Sequence, residues 1–227
     1  MAVNVVDRAD DPVQIKHVLM SVSDKAGLEI FVPGLLEACP GVKIFSTGGT
    51  YNKIAEILGG KAKGCLEAVS DYTGQPETQG GLVKTLDFKI YLGLLTETYN
   101  DSHQSDLKRT NGVPIDMVVV NLYPFRETIA QPKVTPEMAR GQIDIGGPCM
   151  IRASAKNFLR VSSVVDPDDY PMILDELKAN NGSTTMRTRY RLARKAFRHT
   201  ASYDKAIADY LQETPFDNAR PCYKFED

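Results

Sequence analysis

The sequence predicts an α/β fold with a mostly parallel central sheet, helices on its faces and a helical addition at the C-terminus. Three observations carry this. The first part of the chain alternates short apolar runs with stretches of helical spacing. A later run, Met117-Val118-Val119-Val120-Asn121, is β-branched almost throughout, and two helical patterns close the chain. Strand-helix alternation is the rhythm of a parallel sheet, and an unbroken apolar strand is one covered on both faces.

Taken in order, residues 1–15 are polar and charged and are expected to form a loose leader. Val18-Leu19-Met20-Ser21-Val22 reads as a buried strand, followed by Ser23-Asp24-Lys25 and a helical pattern from Leu28 to Leu36 that Gly41 closes. The second strand, from Val42, ends in Ser46-Thr47-Gly48-Gly49-Thr50, after which Ile54, Ile57 and Leu58 fall at helical spacing. Ile90 to Leu95 fits either a strand or a buried helix. Met150 to Asn157 reads as a helix and Val161 to Val165 as the last strand, ended by Asp166-Pro167. Helices over Tyr170 to Lys178 and Thr188 to Leu211 follow. With no repeat or low-complexity linker, the expectation is one domain over 16–211 and a tail over 212–227.

Composition narrows the function. The 227 residues are 42% hydrophobic and 25% charged, ordinary for a soluble globular protein. A formal net charge of -2 argues against a general nucleic-acid-binding surface, and no apolar run is long enough to span a bilayer. Asp7, Arg8, Asp10 and Asp11 are not the start of a secretory signal. Cys39, Cys65, Cys149 and Cys222 lack metal-type spacing and read as reduced thiols of a cytoplasmic protein. His17, His103 and His199 are scattered, which speaks against zinc. The basic run Arg187, Arg189, Arg191, Arg194, Lys195 and Arg198 interleaves with Leu192, Ala193, Ala196 and Phe197, so it reads as the solvated face of an amphipathic helix.

Candidate chemistry collects at strand ends and helix starts. The turn around Gly48-Gly49 aims unpaired backbone N–H groups and a helix dipole at whatever lies above it, with Ser46, Thr47 and Thr50 adding hydroxyl donors. A phosphate monoester suits that geometry; the plainer alternative is a strand-to-helix turn capped by Thr50. Ser21, Ser23 and Lys25 end the first strand, Lys84 and Thr85 stand in a Gly-rich turn, and Asn121 and Tyr123 end the valine strand. Asp144 with Gly146-Gly147 precedes the helix that carries Lys156. An Asp and a Lys brought together can relay a proton, and a Tyr can donate to a developing oxyanion. Each residue also has a structural use: Asp144 as a helix cap, Lys156 as a solvated side chain, Tyr123 as an amphipathic core residue.

Read together, these blocks are more specific. Ser21-Val22-Ser23-Asp24-Lys25, Ser46-Thr47-Gly48-Gly49-Thr50, Ser70-Asp71-Tyr72-Thr73-Gly74-Gln75-Pro76-Glu77 and Val83-Lys84-Thr85-Leu86 occur in order. Asn121-Leu122-Tyr123-Pro124-Phe125, Ile143-Asp144-Ile145-Gly146-Gly147, Arg152-Ala153-Ser154-Ala155-Lys156-Asn157 and Lys195-Ala196-Phe197-Arg198-His199-Thr200-Ala201 follow. From Lys16 to Leu211 the chain resembles the inosine monophosphate cyclohydrolase domain of the bifunctional purine-biosynthesis proteins that also carry an aminoimidazole carboxamide ribotide transformylase. The resemblance implies a methylglyoxal-synthase-like three-layer sandwich, closure of the purine ring of formamido-imidazole carboxamide ribotide with loss of water, no metal or organic cofactor, and a homodimer. It implies that Lys25, Ser46, Gly48, Gly49, Thr50 and Thr85 hold the 5′-phosphate. Asn121 and Tyr123 then contact the base side and the oxyanion, and Lys84, Asp144 and Lys156 move protons.

Two departures stand out. Leu82 replaces an arginine of the family pattern, and Asp87 and Tyr91 replace histidines; an Asp87 facing the ligand would repel its phosphate. The chain also ends at Asp227 without a transformylase half, as a stand-alone or an excised cyclohydrolase would. Two rival readings remain: a nucleotide-sensing module that keeps the cradle without turnover, and methylglyoxal synthase on the same kind of fold.

Overall fold

The computed structural model describes residues 5–75 and 84–226. Its elements run β1 (Val13–Gln14), β2 (His17–Val22), α1 (Leu28–Ala38), β3 (Lys43–Ser46), α2 (Gly48–Leu58), α3 (Ala62–Cys65), β4 (Leu66–Ala68) and α4 (Val69–Thr73). After the undescribed segment come α5 (Phe88–Leu95), α6 (Asp101–Arg109), β5 (Met117–Asn121), α7 (Phe125–Ile129), α8 (Pro136–Arg140), α9 (Gly146–Lys156) and β6 (Ser162–Val164). The chain closes with α10 (Tyr170–Ala179), β7 (Ser183–Thr184), α11 (Met186–Glu213) and α12 (Phe216–Ala219).

Five strands form one parallel sheet in the order β4-β3-β2-β5-β6. Because side chains alternate along a strand, the apolar runs divide between two cores. Val18, Met20, Val22, Ile44, Met117 and Val119 pack with α1, α2 and α10. Leu19, Phe45, Val118, Val120 and the helices α5, α9 and α11 form the second core. Both faces of the sheet are thus covered, and the expected three-layer α/β sandwich is borne out. Order reverses at β2: the chain moves outward through β3 and β4, then returns to β2's other side with β5 and β6. A crevice opens at such a reversal, beyond the carboxyl ends of the strands.

Ile90 to Leu95 is helix. Asp87 decides it, with its carboxylate accepting the Lys89 N–H at 2.7 Å as the cap of α5. The leader is not loose in its second half. Val13–Gln14 pairs antiparallel with β7, and the Asp11 carboxylate accepts the Met186 N–H at 2.7 Å. Behind this lies Arg189, which is fully buried rather than solvated. Its guanidinium donates to the carbonyls of Phe158, Leu159, Thr184 and Asp10, and a buried cation needs every one of those acceptors. The other arginines of that run, Arg187, Arg191, Arg194 and Arg198, are exposed as expected. The apolar stripe of α11 (Leu192, Ala193, Ala196, Tyr203, Ala206) is buried within the chain. No helix among the described residues is long and apolar enough to cross a membrane.

Candidate active site

A cleft of about 430 Å³ occupies the reversal point, walled by the ends of β2, β3 and β5, by residues 84–86 and by the 143–147 loop. One end is built to receive an anion. Thr47 is the N-cap of α2 but makes no capping hydrogen bond with its side chain. The Thr47 hydroxyl instead meets the Ser21 hydroxyl at 3.3 Å. The N–H groups of Gly48 and Gly49 therefore keep no partner among the described residues, at the positive end of an eleven-residue helix. Gly48 has φ +47°, and a Cβ placed there would lie 3.2 Å from Lys84 Nζ. Lys25 approaches Gly49 from the other side, its Nζ 3.8 Å from where a Cβ would be. Two ammonium groups and two free N–H groups thus surround one small volume. Thr85 is buried beside them, its hydroxyl 2.9 Å from the Cβ position of Gly146.

The other end carries a carboxyl group. Asp144 is the acid among the described residues lining the cleft, and its Oδ1 accepts the Gly147 N–H at 2.8 Å. Burial pushes the Asp144 carboxyl above its ordinary value, while hydrogen bonds from the Gly147 and Tyr123 backbones pull the other way. A Cβ on Gly147 would sit 2.5 Å from Asp144 Oδ2 and 2.6 Å from Leu122 Cδ2, so the carboxyl can lie there because residue 147 is glycine. Tyr123 lines the cleft and is 49% exposed. Leu86, Ile143, Ile145 and Met150 add an apolar wall; this wall was not singled out from the sequence, where scattered aliphatics carry no periodic signal.

Of the expected site residues, Ser21, Ser23, Lys25, Thr47, Gly48, Gly49, Thr50, Lys84, Thr85, Asn121, Tyr123, Asp144, Gly146 and Gly147 all line this cleft. Several are spent on structure. The Thr50 hydroxyl accepts the Val22 N–H and donates to the Val22 carbonyl, both at 3.0 Å, so it pins β2 to α2 rather than capping the turn. Asn121 accepts the N–H groups of Ser23 and Asp24 at 2.6 and 2.9 Å and donates to the Asp24 carbonyl at 2.8 Å. It shapes the loop that carries Lys25.

Two residues are not in the cleft. Ser46 is fully buried and donates to the Met20 carbonyl at 2.8 Å, because its β3 register faces it to β2. Lys156 is exposed at the C-terminal end of α9, whereas Asp144 lies before the N-terminus. Eleven residues of helix put those ends about 15 Å apart, so the expected Asp144–Lys156 pair does not form within this chain. Among the departures, Asp87 is buried as a helix cap and does not line the cleft. Tyr91 is also outside it, and burial pushes its phenol well up. Leu82, with Gly80, Gly81 and Val83, lies outside the described residues. No group of three or more His, Cys, Asp or Glu that could hold a metal ion occurs among the described residues.

Residues 31–149 match the model of the MGS-like domain, and residues 154–226 match that of the AICARFT/IMPCHase bienzyme. The bifunctional purine biosynthesis protein PurH of Bacillus cereus (strain AH820) is 50% identical over 198 residues, which is 87% of this chain and 37% of that protein. PurH of Bacillus anthracis (strain A0248) agrees to the same extent. The chain therefore spans little more than a third of the length of these curated relatives. A solved structure described as ForH superimposes with a TM-score of 0.76 at 33% identity, over 87% of this chain and 97% of that one.

Proposed function

The chain belongs to the MGS-like domain family, as its ordered motif blocks led us to expect, and from that premise we propose that its cleft is an inosine monophosphate cyclohydrolase site. The observation that carries the reading is the pairing, in one cleft, of an uncapped phosphate-type helix N-terminus with a half-buried carboxyl group. The likeness to PurH and the match to the AICARFT/IMPCHase bienzyme support the purine substrate.

In this reading Gly48, Gly49, Lys25 and Lys84 hold the 5′-phosphate of formamido-imidazole carboxamide ribotide. The sugar and base then lie along the cleft toward Tyr123 and Asp144. The carboxamide nitrogen attacks the formyl carbon, forming a C–N bond and turning the formyl oxygen into a hydroxyl. An amide is a weak nucleophile, so holding it against that carbon supplies much of the acceleration. Asp144 takes one proton from the carboxamide nitrogen and passes it to the formyl oxygen, which gives that hydroxyl. It then takes the proton of the formamido nitrogen and delivers it to the hydroxyl, as the C–O bond breaks, a C=N bond forms and water leaves. A carboxyl that burial pushes above its ordinary value is better suited to do both. The Tyr123 hydroxyl donates to the oxygen as charge develops.

The test is to mix purified protein with the formylated ribotide and follow the imidazole-to-purine absorbance change. Formation of inosine monophosphate above the uncatalysed rate is expected. Tight binding of the ribotide without turnover would overturn the reading in favour of a nucleotide-sensing module. A homodimer is part of the same reading. Because the apolar stripe of α11 is buried within the chain, its support is the exposed Tyr190 and Phe197 on that helix, 51% and 39% accessible. A monomeric mass by light scattering at micromolar concentration would exclude it.

A further inference from the structure

We infer that Tyr203, on the C-terminal helix α11, is a positioning residue that fixes the loop carrying Asp144, an inference that rests on the cyclohydrolase reading for its consequence on turnover.

The loop from Gln142 to Ile145 has no strand or helix of its own, yet it must hold a carboxyl group at the cleft wall. Its anchor comes from a distant part of the chain. The Tyr203 hydroxyl donates to the Gln142 carbonyl at 2.8 Å and accepts the Asp144 N–H at 2.9 Å. Both hydrogen-bonding capacities of the phenol are therefore used to staple residues 142 and 144 to α11. The ring cannot swing away: Tyr203 is 7% exposed and meets Phe125 edge-on at 6.2 Å. Asp144, held by its backbone N–H, is left to aim its side chain at Gly147 and the cleft.

The same stretch of α11 also grips the segment that follows β5. Arg126 donates to the Ser202 carbonyl at 2.7 Å and to the Ser202 hydroxyl at 3.0 Å. Phe125 also meets Tyr210 edge-on at 5.9 Å. Only Pro124 separates Tyr123 from residues 125 and 126, so one helix sets the placement of both Tyr123 and Asp144. It does so from beyond residue 149, where the match to the MGS-like domain ends and before which the whole cleft lining lies, Met150 apart. The C-terminal addition is thus part of the site without touching the ligand.

The experiment is Tyr203→Phe, which keeps the ring and removes the hydroxyl. Hydrogen–deuterium exchange is measured on the peptide spanning 142–147 and on α11, and steady-state ring closure is measured beside it. We expect exchange in 142–147 to rise about tenfold, the worth of the hydrogen bond that protects the Asp144 N–H, with α11 unchanged. We expect kcat to fall about 10- to 100-fold with KM within about twofold, because the carboxyl is misplaced while the phosphate end is intact. Phe125→Leu is the control for lost packing; an equal kcat loss with unchanged 142–147 exchange in both variants would overturn the inference. If the wild-type chain does not turn over, the function reading fails, and the exchange measurement still decides the role of Tyr203. Should the variant not fold, the wild-type decides alone: an Asp144 amide exchanging as fast as an exposed loop overturns the staple.

Discussion

Two helices of equal length open onto the cleft, each beginning with Gly-Gly, and they end differently. At α2 the Gly48 and Gly49 N–H groups are unclaimed, no acidic residue stands in the first turn, and two lysines lean over them. At α9 the chain supplies its own anion, since Asp144 accepts the Gly147 N–H and Tyr203 locks the loop behind it. The first end is open to a ligand's charge, and the second has spent its Gly147 N–H on the side chain to which we assign the proton transfers. In the proposed reading one motif thus gives a binding end or a reacting end, according to whether a carboxylate stands three residues before its second glycine.

The comparison breaks most sharply at Asp144. Asp144→Asn keeps the acceptor for the Gly147 N–H but cannot carry a proton. Turnover is expected to fall about 10²- to 10⁴-fold, the usual worth of a positioned acid-base group, with product affinity by calorimetry changed less than about threefold. A parallel loss of affinity would make both ends binding ends. The variant also has a stability signature. Burial raises this carboxyl, so between its ordinary value of 3.8 and the raised one the folded chain holds a proton that the unfolded chain has lost. Stability from this group therefore falls as pH rises through that window. Above it Asp144→Asn is expected to melt higher than wild type, read by thermal unfolding at pH 4 and pH 7.

At the open end the expected effect is on affinity. Removing a charge-assisted hydrogen bond costs about 1.5–3 kcal/mol, so Lys25→Ala and Lys84→Ala should each weaken nucleoside monophosphate binding about 10- to 100-fold. Salt separates them. Lys84 is exposed and Lys25 half-buried, so the penalty of losing Lys84 shrinks more as ionic strength rises. Equal salt responses would show that the two lysines do not flank one phosphate in this way. A loss of kcat with unchanged affinity in Lys84→Ala would return that lysine to the proton-moving role first expected of it.

The sheet, its reversal point and most of the cleft could be read from the sequence because their signals are local. Apolar runs of strand length, a Gly-Gly turn after a strand and a carboxylate before a helix each declare themselves within a few residues. What escaped depends on distance in the chain. Nothing near Ser46 says that its hydroxyl is consumed by Met20 across the strand pair. Lys156 looked like a partner for Asp144 because both flank α9, but a helix sends its two ends apart. Arg189 sits among solvated arginines in sequence and is the buried one, needed by carbonyls at Asp10, Phe158, Leu159 and Thr184. Tyr203 is 59 residues from the amide it holds.

The smallest expected effect concerns Asp87, and it tests whether the open end is as free of negative charge as it looks. As a departure from the family pattern, Asp87 carried the expectation of repelling the phosphate. The structure gives it a different role. It is 4% exposed, its carboxylate caps α5 through the Lys89 N–H, and it is absent from the cleft wall. Capping and repulsion predict opposite signs. If the carboxylate faced the ligand, Asp87→Ala would tighten monophosphate binding, most at low salt. As a cap, its loss costs about 1 kcal/mol of stability and leaves affinity within about twofold. Thermal unfolding and calorimetry on the one variant decide between them. A lower melting temperature with unaltered affinity is the expected pair of results, and a gain in affinity would bring the start of α5 to the phosphate.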